Sequence, residues 1–172
     1  EIYTINKPLP YTLASWALGT LLGVQGGTKE VQKKLNTLLK QGVKVNALWI
    51  QDWVGKQPTK FGSRLKWRWQ LDKDHYSQFE PFKSELKEKD IKILGYINPF
   101  FAEDGPYVHE GLLKGYFISK KEETIKFKFG GIQGYMIDLF NTAAYNWMKQ
   151  IIQTNLVNQG FSGWMADFAE WY

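Results

Sequence analysis

Short, nearly continuous apolar runs alternate along the chain with longer segments whose apolar positions recur every three or four residues. The run "ALGTLLGVQ" at 17–25 predicts a buried strand, followed by the turn "GGT". Positions 29–41 then place Val31, Leu35, Leu38 and Leu39 on one helical stripe, with Thr28 as the expected N-cap and Gly42 just past the helix end. "VKVNALWIQ" predicts a second strand, and a long polar and aromatic connection runs over 52–75. A second helix is expected over 78–89, a third strand at "IKILGYI", and a hairpin within "GYFISKKEETIKFKFG". "GYMIDL" reads as a short strand, Thr142 as the cap of a helix running to about 159, and "SGWMADF" as the last strand.

Strands this apolar, each followed by a helix, predict an α/β fold with a parallel sheet covered by helices. An open doubly wound sheet and a (β/α)₈ TIM-barrel type both fit the alternation. A barrel takes ~250 residues, so the 172 residues would supply only about the first half of one. No linker, repeat or low-complexity stretch divides the chain, and 1–172 reads as a single domain. The turn "GVQGGT" lacks both the G-x-G-x-x-G spacing and the P-loop lysine, which argues against nucleotide binding.

Composition changes this picture in two places. Aromatic residues make up 16% of the chain, with eight Trp, so stacking surfaces are expected beside the core. The net charge is +5, but the lysines sit mainly in helical segments such as "KEVQKKLNTLLKQ", mixed with Glu and Gln, as on a solvated face. A nucleic-acid surface would interleave aromatics with Lys and Arg along one face; here the aromatics fall at strand ends. Cysteine is absent, which excludes thiol chemistry and leaves the redox compartment open. No apolar run approaches the ~20 residues of a membrane span. The start "EIYTINKPLPYT" has no signal-peptide layout, which favours a cytoplasmic location. His75 and His109 read as incidental, and no His, Asp or Glu cluster has metal-ligand spacing, so neither metal nor cofactor is expected.

Functional groups in both architectures gather beyond the C-terminal ends of the strands. Those ends deliver Gln25, then Gln51, Asp52 and Trp53, then Asn98, Asp138 and Asp167. Amides and carboxylates bind hydroxyls, and indole faces such as Trp49, Trp53 and Trp164 pack on the C–H face of a sugar ring. Asn98 before Pro99 is also a common turn pair, Asp138 can cap the following helix, and Asp52 is as well suited to bracing a loop as to a site. Asp167 is the strongest candidate, because a carboxylate between Ala166 and Phe168 on an apolar strand is costly unless used or paired.

"GWMADFAE", with "WIQDW" and "YINPFF" upstream, resembles glycoside hydrolase family 31, the retaining α-glucosidase family built on a (β/α)₈ barrel. "LGVQGGT", "WIQDW" and "FGSRLKWRW" together look most like its sulfoquinovosidase subfamily, over about 19–170. The resemblance implies Asp167 as nucleophile and Gln25, Gln51, Arg64 and Trp67 as substrate-recognition residues; the strand-end reading, not the resemblance, adds Asp52 and Trp164 as substrate-binding candidates. Other members of the family usually carry an acidic residue where Gln51 stands. The implied substrate is a small sugar glycoside with an anionic, sulfonated glycone, for which an Arg fork and an indole N–H are suitable donors.

Retaining hydrolysis needs two carboxyl groups about 5–5.5 Å apart. The resemblance places the acid/base on a later barrel strand, past Tyr172, and Glu170 reads as bracing. Asp167 would then belong to a half-barrel that is inactive alone, with an exposed edge at 164–168 that calls for the remainder of the barrel or another chain. A general family 31 α-glucosidase and a non-catalytic carbohydrate-binding half-barrel are the alternatives.

Overall fold

The computed structural model describes residues 12–129 and 131–168. After a single 3₁₀ turn at Ser15–Leu18, the elements follow as β1 (Leu21–Val24), α1 (Gly27–Lys40), β2 (Ala47–Ile50), β3 (Lys56–Thr59) and β4 (Gly62–Leu65). Next come α2 (Phe79–Glu88), β5 (Lys92–Ile97), β6 (Phe100–Ala102), α3 (Val108–Leu113), β7 (Ser119–Lys120) and β8 (Glu123–Thr124). The chain continues through β9 (Lys126–Phe129), β10 (Ile132–Met136), α4 (Thr142–Asn155) and, after a 3₁₀ turn at Val157–Gln159, β11 (Gly163–Ala166).

Four strands form a parallel sheet in the order β1-β2-β5-β11. Each pair is joined by a crossover containing a helix, the connection that parallel neighbours require. The apolar stripe of α1 buries Val31 and Leu35, and that of α2 buries Phe79, Phe82 and Leu86. Together with Leu48, Ile50 and Ile93 of the strands they belong to one hydrophobic core, which α4 also covers with Trp147, Met148 and Ile151. At about 25 cal/mol per Å² of apolar surface, each such side chain contributes roughly 1.5–3 kcal/mol.

Sequence and structure differ at several places. The first apolar run becomes strand only at Leu21, because Ala17 and Leu18 belong to the 3₁₀ turn. The α1 N-cap is Gly26, not Thr28. Gly26 (φ +118°) and Gly27 (φ +79°) both lie in the left-handed region, and a Cβ on Gly27 would meet the His75 carbonyl at 2.1 Å. The "GGT" turn is therefore a close backbone approach; Thr28, one residue into the helix, donates from Oγ1 to the Ser77 carbonyl at 2.7 Å. Similarly, Asn141 caps α4 instead of Thr142, its Oδ1 accepting from the amides of Ala143 and Ala144 at 3.0 and 3.3 Å.

A further difference changes the topology. "GYMIDL" falls on β10, which pairs antiparallel with β6 and β9 in a separate three-stranded sheet. Asp138 thus leaves the set of parallel strand ends; its Oδ1 accepts from the Phe140 amide at 3.0 Å and shapes the turn into α4. The 52–75 connection holds a hairpin not foreseen in the apolar pattern, β3 against β4, with Thr59 paired to Gly62. Gly62 takes φ +90°, and Thr59 Oγ1 donates to the Gly62 carbonyl at 2.7 Å across the turn. The expected hairpin within 115–130 is present as β7 and β8. Among the described residues no helix is long and apolar enough to cross a membrane.

Candidate active site

The C-terminal ends of the parallel strands open onto a cavity of about 440 Å³. The sheet contributes Gln25 directly after β1, Gln51 directly after β2, Tyr96 near the end of β5 and Asp167 directly after β11. The β3–β4 hairpin and the segment after it contribute Lys56, Arg64 and Trp67. Among the described residues Asp167 is the only carboxylate in the lining, and Lys56 and Arg64 are its cations.

Two groups of side chains are held by hydrogen bonds. Lys56 Nζ donates to Gln25 Oε1 at 2.8 Å, and Gln25 Nε2 donates to Gln51 Oε1 at 2.5 Å. Across the cavity, the Tyr96 hydroxyl donates to Asp167 Oδ2 at 2.9 Å, and the Phe168 amide donates to Asp167 Oδ1 at 3.1 Å. One bond to each oxygen fixes the plane of the carboxylate. Trp67 stacks on Phe100 with centroids 5.3 Å apart and meets Phe168 edge-on at 6.4 Å. Trp67 (φ +41°) and Phe168 (φ +63°) are both in the left-handed region, at a cost of about 1–3 kcal/mol each. Their rings pack against each other where both line the cavity.

The segment carrying Trp67 is anchored beneath the cavity by buried polar groups. Asp52 is 0% exposed, so it does not reach the cavity as a substrate-binding residue would. Its Oδ1 accepts from the Tyr76 hydroxyl at 2.5 Å, and its Oδ2 accepts from the Gly26 amide at 2.9 Å and lies 2.7 Å from His75 Nε2. Asp52 thereby ties the β1–α1 turn to the segment before α2. Burial, and next the facing Asp52 charge, push the Tyr76 phenol far above its ordinary value. Asp72 sits nearby: its Oδ2 pairs with Lys66 at 2.7 Å, and its Oδ1 accepts from the amides of Asp74 and His75 at 3.2 and 3.0 Å. Burial works against the Asp72 charge, but the Lys66 bond and these amides outweigh it and lower the carboxyl below its ordinary value.

Several other sequence candidates lie elsewhere. Trp164 faces a different, apolar groove with Ile97, Leu139 and Ile152, and is 39% exposed. Trp53 is fully buried, with Nε1 donating to the Tyr96 carbonyl at 2.8 Å, and Trp49 packs over Gly23. Asn98 is buried and closes the turn before β6, its Oδ1 accepting from the Phe100 amide at 3.0 Å. Indoles at strand ends alternate in direction, and only packing decides which of them face a cavity. Glu170 lies outside the described residues. No group of three or more His, Asp or Glu among the described residues could hold a metal ion.

Residues 10–172 match the TIM-barrel domain of glycosyl hydrolases family 31. The chain belongs to glycoside hydrolase family 31. It is similar to the sulfoquinovosidase of Escherichia coli (strain K12), 39% identical over 154 residues, which are 89% of this chain and 23% of that protein. The sulfoquinovosidase of Agrobacterium fabrum is 36% identical over 162 residues, covering 92% of this chain and 24% of that protein. Among solved structures, a family 31 sulfoquinovosidase from E. rectale in complex with the aza-sugar inhibitor IFGSQ superposes with a TM-score of 0.84 at 39% identity. That alignment covers 90% of this chain and 24% of the other. The chain thus spans about a quarter of the length of these relatives. Its four parallel strands are half of the eight in a family 31 barrel, whose C-terminal face is where TIM barrels place their sites.

Of the cavity residues not marked by the sequence, Tyr96 and Lys56 hold other cavity side chains by hydrogen bonds. Tyr96 looked like one more apolar strand residue, and only its place beside Asp167 shows the hydroxyl in use. Lys56 carried no signal, because a lysine in a polar connection resembles any surface lysine until the Gly55 turn (φ +81°) carries it back over the strand ends.

Proposed function

We propose that this chain supplies the nucleophile and much of the sugar-binding wall of a retaining α-glycoside hydrolase that cleaves α-sulfoquinovosides. The observation that carries the reading is the single oriented carboxylate, Asp167, in one cavity with the Gln25–Gln51 amide pair, Arg64 and Trp67.

In this reading an Asp167 oxygen attacks the anomeric carbon, and the bond to the aglycone oxygen breaks as that oxygen takes a proton from a general acid. The product of the step is a glycosyl ester on Asp167. The same acid, now a base, takes a proton from water, which displaces the ester and releases the sugar with its configuration retained. The Tyr96 hydroxyl and the Phe168 amide hold the carboxylate plane through both displacements. The general acid is assigned to a carboxyl outside the described residues. Gln25 and Gln51 bind ring hydroxyls. Arg64 and the Trp67 indole hold the three acceptor oxygens of a sulfonate, which remains anionic at any working pH.

The test is hydrolysis of a chromogenic α-sulfoquinovoside against the matching α-glucoside by the full-length protein, with NMR of the first-released anomer. Preference for the sulfonated substrate and release of the α-anomer support the reading. Equal turnover of both substrates overturns the sulfonate assignment, and first release of the β-anomer overturns retention.

A further inference from the structure

We infer that Lys56 is a positioning residue that sets the direction of the amide pair, so that Gln51 presents hydrogen-bond donors to the bound sugar. This rests on the glycosidase reading above and deepens it at one residue. The Gly55 turn, closed by the Gly55 amide donating to the Asp52 carbonyl at 2.8 Å, brings Lys56 back over the strand ends. In the β3–β4 ladder Lys56 lies opposite Leu65, so the two share a face of the hairpin, and both line the cavity. Lys56 has no carboxylate within ion-pair distance among the described residues; its bond goes to Gln25 Oε1 at 2.8 Å.

The chemistry of the three groups gives that bond a consequence. An ammonium has three donors and no acceptor, so the Gln25 atom facing it must be the oxygen. That turns Gln25 Nε2 toward Gln51, where it finds Oε1 at 2.5 Å. Gln51 then meets its neighbour with its oxygen and keeps its own NH₂ group for the cavity. The chain runs in one direction, Lys56 to Gln25 to Gln51, and ends in donors. A carboxamide pair without Lys56 could bond in either direction at similar energy, and half of those arrangements would present an oxygen to the ligand. The sugar atom held at Gln51 Nε2 is accordingly an acceptor.

A double-mutant cycle in the full-length protein tests this, with Asp167→Asn as background so that binding is read without turnover. Calorimetry measures affinity for an α-sulfoquinovoside and for an α-glucoside, and the cycle is evaluated on whichever of the two the background protein binds more tightly. Binding of the glucoside alone overturns the substrate class of the proposed function while leaving the cycle readable. Lys56→Met should weaken binding about tenfold to a hundredfold, the range for a hydrogen bond to a charged group. Lys56→Arg, also a donor-only cation, should restore most of the loss, and the loss should vanish when Gln25→Leu is already present. A substrate-free reading comes from the side-chain amide resonances of Gln25 and Gln51, which should shift in Lys56→Met and return in Lys56→Arg. Unchanged affinity and unmoved amide resonances in Lys56→Met overturn the inference. So does a loss of the same size with and without Gln25→Leu, which would mean that Lys56 acts on the sugar directly.

Discussion

Asp167 borders two hollows, and they are built on opposite plans. On the side of β3 and β4, walls that include Trp67 and Phe100 also carry polar groups in fixed hydrogen bonds: Lys56 on Gln25, Gln25 on Gln51, Tyr96 on Asp167. On the side of α4 the groove of about 490 Å³ is lined mainly by aliphatic and aromatic carbon from Ile97, Ile137, Leu139, Ile152 and Trp164. The first arrangement holds direction, since a donor or acceptor can act on a ligand only if its partner fixes where it points. The second holds no direction, since apolar contact is indifferent to orientation. The comparison teaches that polar residues at strand ends make a site only where a second layer, here the hairpin and the Asp52 cluster beneath it, immobilises them.

Breaking the oriented side at its centre should have the largest effect. Asp167→Asn keeps the shape, with Oδ1 accepting from the Phe168 amide and Nδ2 turned to donate to the Tyr96 hydroxyl, but cannot form a glycosyl ester. Turnover by the full-length protein should fall roughly 10³- to 10⁶-fold with an unchanged melting temperature. Retention of a tenth of wild-type turnover would place the nucleophile elsewhere.

Next comes the layer that holds the hairpin. A Cβ on Gly55 would sit 2.0 Å from Asp72 Oδ2, at a φ of +81° that L side chains rarely adopt. Gly55→Ala should destabilise the fold by about 2–4 kcal/mol and weaken glycoside binding, because Lys56 follows directly. A denaturation midpoint within error of wild type would show that the turn is not under this constraint. Below it in size is Tyr76→Phe, which removes one donor from the fully buried Asp52 carboxylate and should cost about 1–3 kcal/mol by the same measurement.

A smaller effect should appear with pH. The Asp72 carboxyl is lowered in the folded protein, so its contribution to stability is fully present above its unfolded value of about 3.8 and disappears as pH falls through the folded value. Stability should therefore drop below about pH 4, and Lys66→Met should shrink that drop by no more than about 1 kcal/mol. An identical acid limb in the variant, followed by circular dichroism, would remove Lys66 from the account. The apolar groove should give the smallest effect on the ligand. Trp164→Ala is expected to change glycoside affinity less than about twofold while lowering the melting temperature, in contrast with Trp67→Ala, which should weaken binding. Equal losses of affinity in the two variants would erase the distinction between the hollows.

Much of this arrangement could be read directly from the chain. Burial of Ile50, Leu48 and Ile93 in parallel strands, and of Val31 and Leu35 on a helix, follows from periodicity alone, because spacing along a regular element dictates which face a side chain takes. The strand-end positions of Gln25, Gln51 and Asp167 follow from the same rule, and the motifs around them pointed to the family. What the tertiary structure decided were the contacts between residues far apart in sequence. Nothing local distinguishes Asp52, sealed under Tyr76 and His75, from Gln51 beside it in the cavity. Nothing local separates Trp67, in the cavity wall, from Trp53 in the core and Trp164 in the groove. Periodicity likewise could not show that β10 would leave the parallel sheet for an antiparallel one, because a short apolar run fits either ladder and its neighbours β6 and β9 settle the choice. The physical reason is common to all of these. Local sequence sets backbone conformation through sterics and spacing, whereas the direction and burial of a polar or aromatic side chain depend on partners that only the folded chain brings within hydrogen-bonding or van der Waals distance.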